Sequence, residues 1–198
     1  PVFCDVGLTT YQAKEDDVLS KITDNTAVLM LPNLIGNKPD WKYLREKLIE
    51  MKREDIILFE DSADTMTSTP ETDVSIVSFY ASHVITAGGM GGMVMFNNEK
   101  HLKRAKMIRD WGRIGDNTEN MNERFNHDID GIPYDYKFLY GALGYNMKCC
   151  EMCAAFGLVQ MDKLENFLKI RRNNIRRYFD NLKDVPEILL PDDSIEPN

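Results

Sequence analysis

Four short apolar runs constrain the fold of this chain more than any other feature: "TAVLML", "DIILFE", "VSIVSFY" and "GMVMFN". None shows the polar-apolar alternation of a strand with one wet face. Such runs suit strands covered on both faces, the usual state of a parallel sheet. Helical patterns lie between and around them. In "EDDVLSKI", Val18, Leu19 and Ile22 share a face. In "DWKYLREKLIEMKRE", Asp40 is a candidate cap, and Trp41, Leu44, Leu48 and Met51 recur at helical spacing. Strand and helix alternate through the first half, which predicts an α/β domain with a mostly parallel sheet flanked by helices.

The rest is less regular. "PVFCDV" reads as a short strand, and a helix is expected from about Glu99 to Trp111. Residues 112–145 are polar, rich in Asn, Asp, Gly and Tyr, and read as a long loop. From Lys148 the pattern is helical again, with Leu164, Phe167, Leu168, Ile175, Tyr178, Phe179 and Leu182 on one face. "VPEILLP" reads as a strand entering a further domain.

With 198 residues, 43% of them hydrophobic, the chain is long enough for one sizeable core. The net charge of -8 comes with no basic stripe, so no nucleic-acid partner is expected. No apolar run approaches the roughly 18 residues of a membrane span, and no secretory leader is recognised, so the expectation is a cytoplasmic protein that meets no membrane. Cys4, Cys149, Cys150 and Cys153 are too few for a disulfide framework. "CCEMC" contains one Cys-x-x-Cys and no second pair, so it reads as an apolar helix start, and no metal site is expected. The chain opens on Pro1 without an initiator Met, which suggests a fragment or a processed form.

In open α/β sheets, ligands bind beyond the carboxyl ends of the strands. Two such ends carry chemistry. "IILF" runs into Glu60-Asp61-Ser62-Ala63-Asp64, and "VSIVSF" into Tyr80-Ala81-Ser82-His83. On adjacent strands, an acid and an imidazole would converge on one crevice. Asp61 could hold a protonated ligand nitrogen or cap a turn, and His83 could move protons near neutral pH or serve a structural hydrogen bond. The glycine run after His83 fits neither the P-loop nor the Rossmann pattern, and a tight turn between strands explains it equally well.

"EDSAD", "SFYASHVIT", the glycine run, "RDWGR" and "LGYNMK" together, in this order, resemble the DegT/DnrJ/EryC1/StrS family of sugar aminotransferases and dehydratases, which are fold-type I pyridoxal phosphate enzymes. The resemblance spans about Val2 to Leu190 and implies a partial large cofactor-binding domain over 1–183, with 184–198 opening the small C-terminal domain. Most members end the strand in "S-F-x-P-x-K", whose lysine binds the cofactor covalently. Here that register gives Ser78-Phe79-Tyr80-Ala81-Ser82-His83. Histidine in place of lysine resembles the sugar 3-dehydratase branch.

The resemblance implies removal of the 3-hydroxyl from a nucleotide-linked 4-keto-6-deoxysugar in deoxysugar or lipopolysaccharide O-antigen biosynthesis. The cofactor would be pyridoxal or pyridoxamine 5'-phosphate, with glutamate as amino donor. By position, His83 is the base, Asp61 holds the pyridinium nitrogen, Asp64 lies near the ring hydroxyl and Ser78 binds phosphate. Asn146 reaches the phosphate of the neighbouring subunit, which implies a homodimer with shared active sites. Ala81 departs from the usual proline, and the glycine turn is longer than usual and lacks its acidic residue. "DWGRIGDNTENMNERF" lacks the cysteines of one dehydratase subgroup, so no iron-sulfur cluster is expected. The branch most similar acts on a GDP-linked 4-keto-6-deoxymannose. The alternatives are an aminotransferase homologue using histidine, and a non-catalytic truncated homologue.

Overall fold

The helix opened by Asp40 organises the core. In a computed structural model of the chain, which describes residues 1–115, 120–125 and 127–192, Asp40 Oδ1 accepts from Tyr43 N at 2.9 Å and starts α2 (Trp41–Glu50). Trp41, Leu44 and Leu48 form its buried stripe. Met51 falls just past the helix end and is exposed, so the buried stripe stops at Leu48. Upstream, α1 (Glu15–Ser20) buries Val18, with Leu19 and Ile22 packed on the same cluster, as their spacing predicts.

Among the described residues one sheet carries β1 (Val28–Pro32), β2 (Ile57–Asp61), β3 (Val74–Ser78) and β4 (Gly92–Phe96), in that order. The first three run parallel and β4 returns antiparallel to β3. Leu29 and Leu31 of β1 and Leu58 of β2 are buried in one cluster with Trp41, Leu44 and Leu48. Removing each of these large side chains from water contributes roughly 1.5–3 kcal/mol before entropy is counted. Val28 and Met30, on the other face of β1, are exposed.

Two compact units emerge: residues 1–97 with 151 onward, and residues 98–150. The first also holds α5 (Glu151–Met161) and α6 (Leu164–Leu182). The second holds α3 (Glu99–Arg109), a short α4 (Met121–Arg124) and a hairpin of β5 (His127–Ile129) and β6 (Ile132–Tyr134), so the segment expected to be one long loop has structure of its own. Its "RDWGR" turn lies against the 142–147 segment. Gly112 has φ +85°, and a Cβ there would stand 1.8 Å from the Ala142 carbonyl oxygen, so only glycine fits. "PVFCDV" is not a strand. Only Val6 makes a bridge, to Ala13, and no neighbouring strand pairs with the rest. "VPEILLP" lacks a partner too and runs irregularly. Residues 193–198, the end of the 184–198 segment expected to open a second domain, lie outside the described residues.

Glu60 is the polar exception in the core. It shares the face of Leu58 and is fully buried. Its carboxylate accepts from Ser75 Oγ (2.7 Å), Thr69 N (2.8 Å), Thr69 Oγ1 (2.9 Å), Asn33 Nδ2 (2.6 Å) and Thr72 Oγ1 (3.2 Å). Burial pushes its pKa up, but the hydrogen bonds from Ser75, the Thr69 backbone, Asn33 and the Thr69 hydroxyl together outweigh it and hold the carboxyl below its ordinary 4.5. The folded-state pKa is therefore the lower one. Its contribution is present above the ordinary value and is lost as pH falls through the depressed one. Urea titrations should show stability dropping as pH falls below 4.5. Glu60→Gln should be less stable near pH 7 by about 1–3 kcal/mol, the cost of leaving buried donors unpaired. It should also lose less between pH 7 and the acid limb than the parent does. An equally steep acid limb in the variant would contradict this role.

Candidate functional site

The pleat separates the two adjacent acids of "ED". Glu60 points to the core face and Asp61, next in β2, to the opposite one. Asp61 pairs with Ile76 of β3, and Ser78 follows two residues later, so Asp61 and Ser78 project from the same face of the sheet on neighbouring strands. Both are half-buried. Asp61 Oδ1 accepts from Ala63 N at 3.1 Å, and Ser78 Oγ accepts from Tyr80 N at 3.2 Å.

Beyond these strand ends the chain makes two turns. One, residues 62–67, carries Asp64. The other follows β3 and carries His83, whose backbone N donates to Tyr80 O at 3.1 Å. The second turn folds back through Ala87 N to Phe79 O (3.2 Å) and Phe79 N to Gly91 O (3.0 Å). Gly89 has φ +87° and donates its N–H to Thr86 Oγ1 at 2.7 Å, so the glycine run serves a backbone that reverses direction tightly. Helix α5 buttresses it: a Cβ at Gly157 would lie 3.5 Å from Ala87 Cβ.

The two turns bring Asp64 and His83 together. His83 Nδ1 lies 3.0 Å from Asp64 Oδ1. The atom is buried, and the geometry is not that of a closed hydrogen bond, so Nδ1 has Asp64 in reach and no hydrogen-bond partner. The Tyr80 ring stands edge-on to the imidazole with centroids 6.2 Å apart. Sequence reasoning set Asp64 near a ring hydroxyl and did not foresee its approach to His83. Nothing in the spacing of residues 64 and 83 signals a pair. Asn33 and Glu60, which brace the first turn, were also missed. The many hydroxyls of "DSADTMTSTPET" were the available signal for a buried acceptor.

Asn146 belongs to the second unit. It is exposed, and its backbone bridges Asp110 in antiparallel fashion. Asp110 is buried and has Lys148 Nζ at 3.2 Å and Arg113 at 3.8 Å. The Arg113 guanidinium lies over the Trp111 ring at 4.7 Å. Among the described residues no group of three or more His, Cys, Asp or Glu could hold a metal ion, and no helix is long and apolar enough to cross a membrane.

These residues fit a phosphorylated pyridine cofactor. Asp61 offers a carboxylate that could accept from a ring N–H, Ser78 a hydroxyl on the same face that could donate to phosphate, and His83 an imidazole on the next turn. His83 Nδ1 is buried with the Asp64 carboxylate 3.0 Å away, which places that carboxylate to orient the ring.

The profile of the DegT/DnrJ/EryC1/StrS aminotransferase family matches residues 1–198. The dTDP-4-dehydro-2,6-dideoxy-D-glucose 3-dehydratase of Saccharopolyspora spinosa is 34% identical, over 96% of this chain and 43% of its own. The lipopolysaccharide biosynthesis protein RfbH of Salmonella typhimurium is 32% identical, over 96% and 45%. Among solved structures, the Escherichia coli GDP-4-keto-6-deoxy-D-mannose-3-dehydratase with bound hydrated PLP superposes with a TM-score of 0.75 at 26% identity, covering 93% of this chain and 48% of that one. Proteins named as sugar aminotransferases match as well. The chain spans less than half the length of the curated relatives it matches first.

The Asp64–His83 approach generates a direct test on this chain. Nitrogen-15 spectra of the imidazole should find the proton of neutral His83 on Nδ1, facing Asp64. Asp64→Ala should move it to Nε2. A tautomer unchanged by that substitution would show that the carboxylate does not orient the ring.

Proposed function

The chain belongs to the DegT/DnrJ/EryC1/StrS aminotransferase family, and from that premise we propose that it carries the cofactor-facing part of a sugar 3-dehydratase active site. The enzyme would be cytoplasmic. Its substrate would be a nucleotide-linked 4-keto-6-deoxysugar, and its product would serve deoxysugar or lipopolysaccharide biosynthesis. One observation carries the reading: the position where most family members have the cofactor-binding lysine is His83, with a carboxylate 3.0 Å from its Nδ1. The dehydratase names among the relatives support it. Relatives named as aminotransferases support the coarser alternative, a nucleotide-sugar aminotransferase homologue.

The chemistry supplied by bound pyridoxamine phosphate is a primary amine for the sugar ketone and a protonated ring that accepts electron density. Asp61 would hold the ring nitrogen in its charged form, because an anion beside a pyridinium favours protonation. Ser78 would donate to the phosphate. Imidazole cannot bind the cofactor covalently as lysine does, so the amine form stays free to meet the ketone. Asp64, at Nδ1, leaves His83 Nε2 as the nitrogen that takes the proton, and its charge would stabilise the imidazolium that results. The 3-hydroxyl would leave with a proton as water, water would release the product by hydrolysis, and glutamate would be the donor that restores the amine. Asn146 would reach the phosphate site of a second subunit, making the assembly a homodimer.

Within the complete reading frame, His83→Asn should leave cofactor binding intact and slow dehydration by about 10²–10⁴-fold, the range for losing a general base. Undiminished turnover would reject the assignment. His83→Lys should gain a borohydride-trappable covalent attachment of the cofactor that the parent lacks.

Subunit sharing has its own test. Mixing an Asn146→Ala chain with a His83→Asn chain should restore activity, because each mixed dimer then holds one doubly damaged site and one intact site. Mixed dimers that form and stay inactive would exclude the shared arrangement.

A further inference from the structure

A buried amide one residue past β1 joins both parallel strand ends to the turn that carries Asp64. Asn33 has no exposed surface, and its backbone N donates to Asp61 O at 2.7 Å. Its Nδ2 lies 2.6 Å from Glu60 Oε1, 2.8 Å from Ser62 Oγ and 3.1 Å from Thr67 Oγ1. Its Oδ1 accepts from Trp41 Nε1 at 3.3 Å. The amide orientation is thereby fixed: the nitrogen faces the acceptors and the oxygen faces the indole N–H.

Ser62 and Thr67 bracket the turn. Thr65 N and Met66 N both donate to Ser62 O, at 3.2 and 3.0 Å, and Met66 sits at φ +60°, a strained conformation for its residue type. The Ser62 and Thr67 hydroxyls are 3.1 Å apart, and Thr65 Oγ1 is 3.2 Å from Thr67 Oγ1. Ser62 and Thr65 are buried. Between them Asp64 is half-buried, 3.0 Å from His83 Nδ1. The strain at Met66 persists only because its surroundings over-determine it, and the Asn33 amide is where those surroundings meet.

We propose that Asn33, clamped to the Glu60 carboxylate, is a positioning residue that holds Asp64 against His83. This rests on the reading of His83 as the base. Asn33 touches neither His83 nor Asp64 and acts through the turn. Without the amide, Glu60, Ser62 and Thr67 lose a shared donor, and the side-chain tie from the end of β1 to the turn is cut while the backbone bond from Asn33 N to Asp61 O remains.

The test uses the chain itself and the imidazole nitrogen-15 signature of His83. Asn33→Ala should lose the Nδ1-protonated signature as Asp64→Ala does, while thermal unfolding stays cooperative. Leu48→Ala removes a fully buried core side chain with no bond to the turn. It should lower the melting temperature and keep the parent signature, which separates positioning from general loss of stability. Should Asn33→Ala fail to fold, the Ser62→Ala/Thr67→Val double variant cuts the amide's ties to the turn and leaves its bond to Glu60. It should lose the signature as well. A parent-like signature in Asn33→Ala, or in the double variant where the single one does not fold, overturns the proposal. The premise fails separately. Loss of the signature in Asn33→Ala, with full turnover retained in His83→Asn, would reject His83 as the base and leave the Asn33 tie standing.

Discussion

A buried carboxylate with no cation in hydrogen-bonding contact is the constraint on which this structure depends. Glu60 sits in the layer between sheet and α2, where an isolated charge would be expelled or neutralised. It is kept ionised by neutral donors alone: Ser75 from the next strand, Thr69 and Thr72 from the connection between β2 and β3, and Asn33 from the end of β1. The donors come from three separate pieces of chain. Satisfying one acid therefore fixes the relative positions of three strand ends and the twelve-residue connection that Pro and Thr would otherwise leave loose.

That arrangement has a consequence for the opposite face. Asp61 follows Glu60 in the same strand, so whatever immobilises Glu60 immobilises Asp61, aimed the other way. Adjacent acids can serve the core face and the opposite face because successive side chains of a strand alternate. The register with β3 pairs Asp61 with Ile76 and puts Ser78, two residues on, on that same face. The chemistry assigned to this face needs groups held to within a fraction of an ångström, and strand ends supply that better than free loops.

The second unit uses backbone contact where the first uses a buried charge. Gly112 approaches the Ala142 carbonyl too closely for any side chain, and a Cβ at Gly144 would stand 2.1 Å from Gly112 N. The "RDWGR" turn and the segment holding Asn146 are thus joined main chain to main chain, with Trp111 N donating to Tyr145 O at 3.0 Å and Met147 N to Arg109 O at 3.0 Å. The Asp110–Lys148 pair closes the same join. The glycines of both motifs are required by this approach.

The apolar runs and helical spacings of the sequence by themselves determined the α/β class, four strands of a mostly parallel sheet, the Asp40 cap and, Met51 apart, the α2 stripe. Those features depend on period and local hydrogen bonding, which are written residue by residue. The strand ends, visible where an apolar run stops, singled out Asp61 and His83, and the family resemblance added Ser78. Tertiary structure alone decided that Asp64 faces His83 Nδ1, that Asn33 and Glu60 share a bond, and that the described residues between 112 and 145 hold a short helix, a hairpin and turns. It also decided that "PVFCDV" and "VPEILLP" form no strands. A strand exists only where a neighbour supplies hydrogen bonds, and a side-chain pair 19 or 27 residues apart exists only where the chain returns on itself. Neither condition leaves a periodic trace in the sequence.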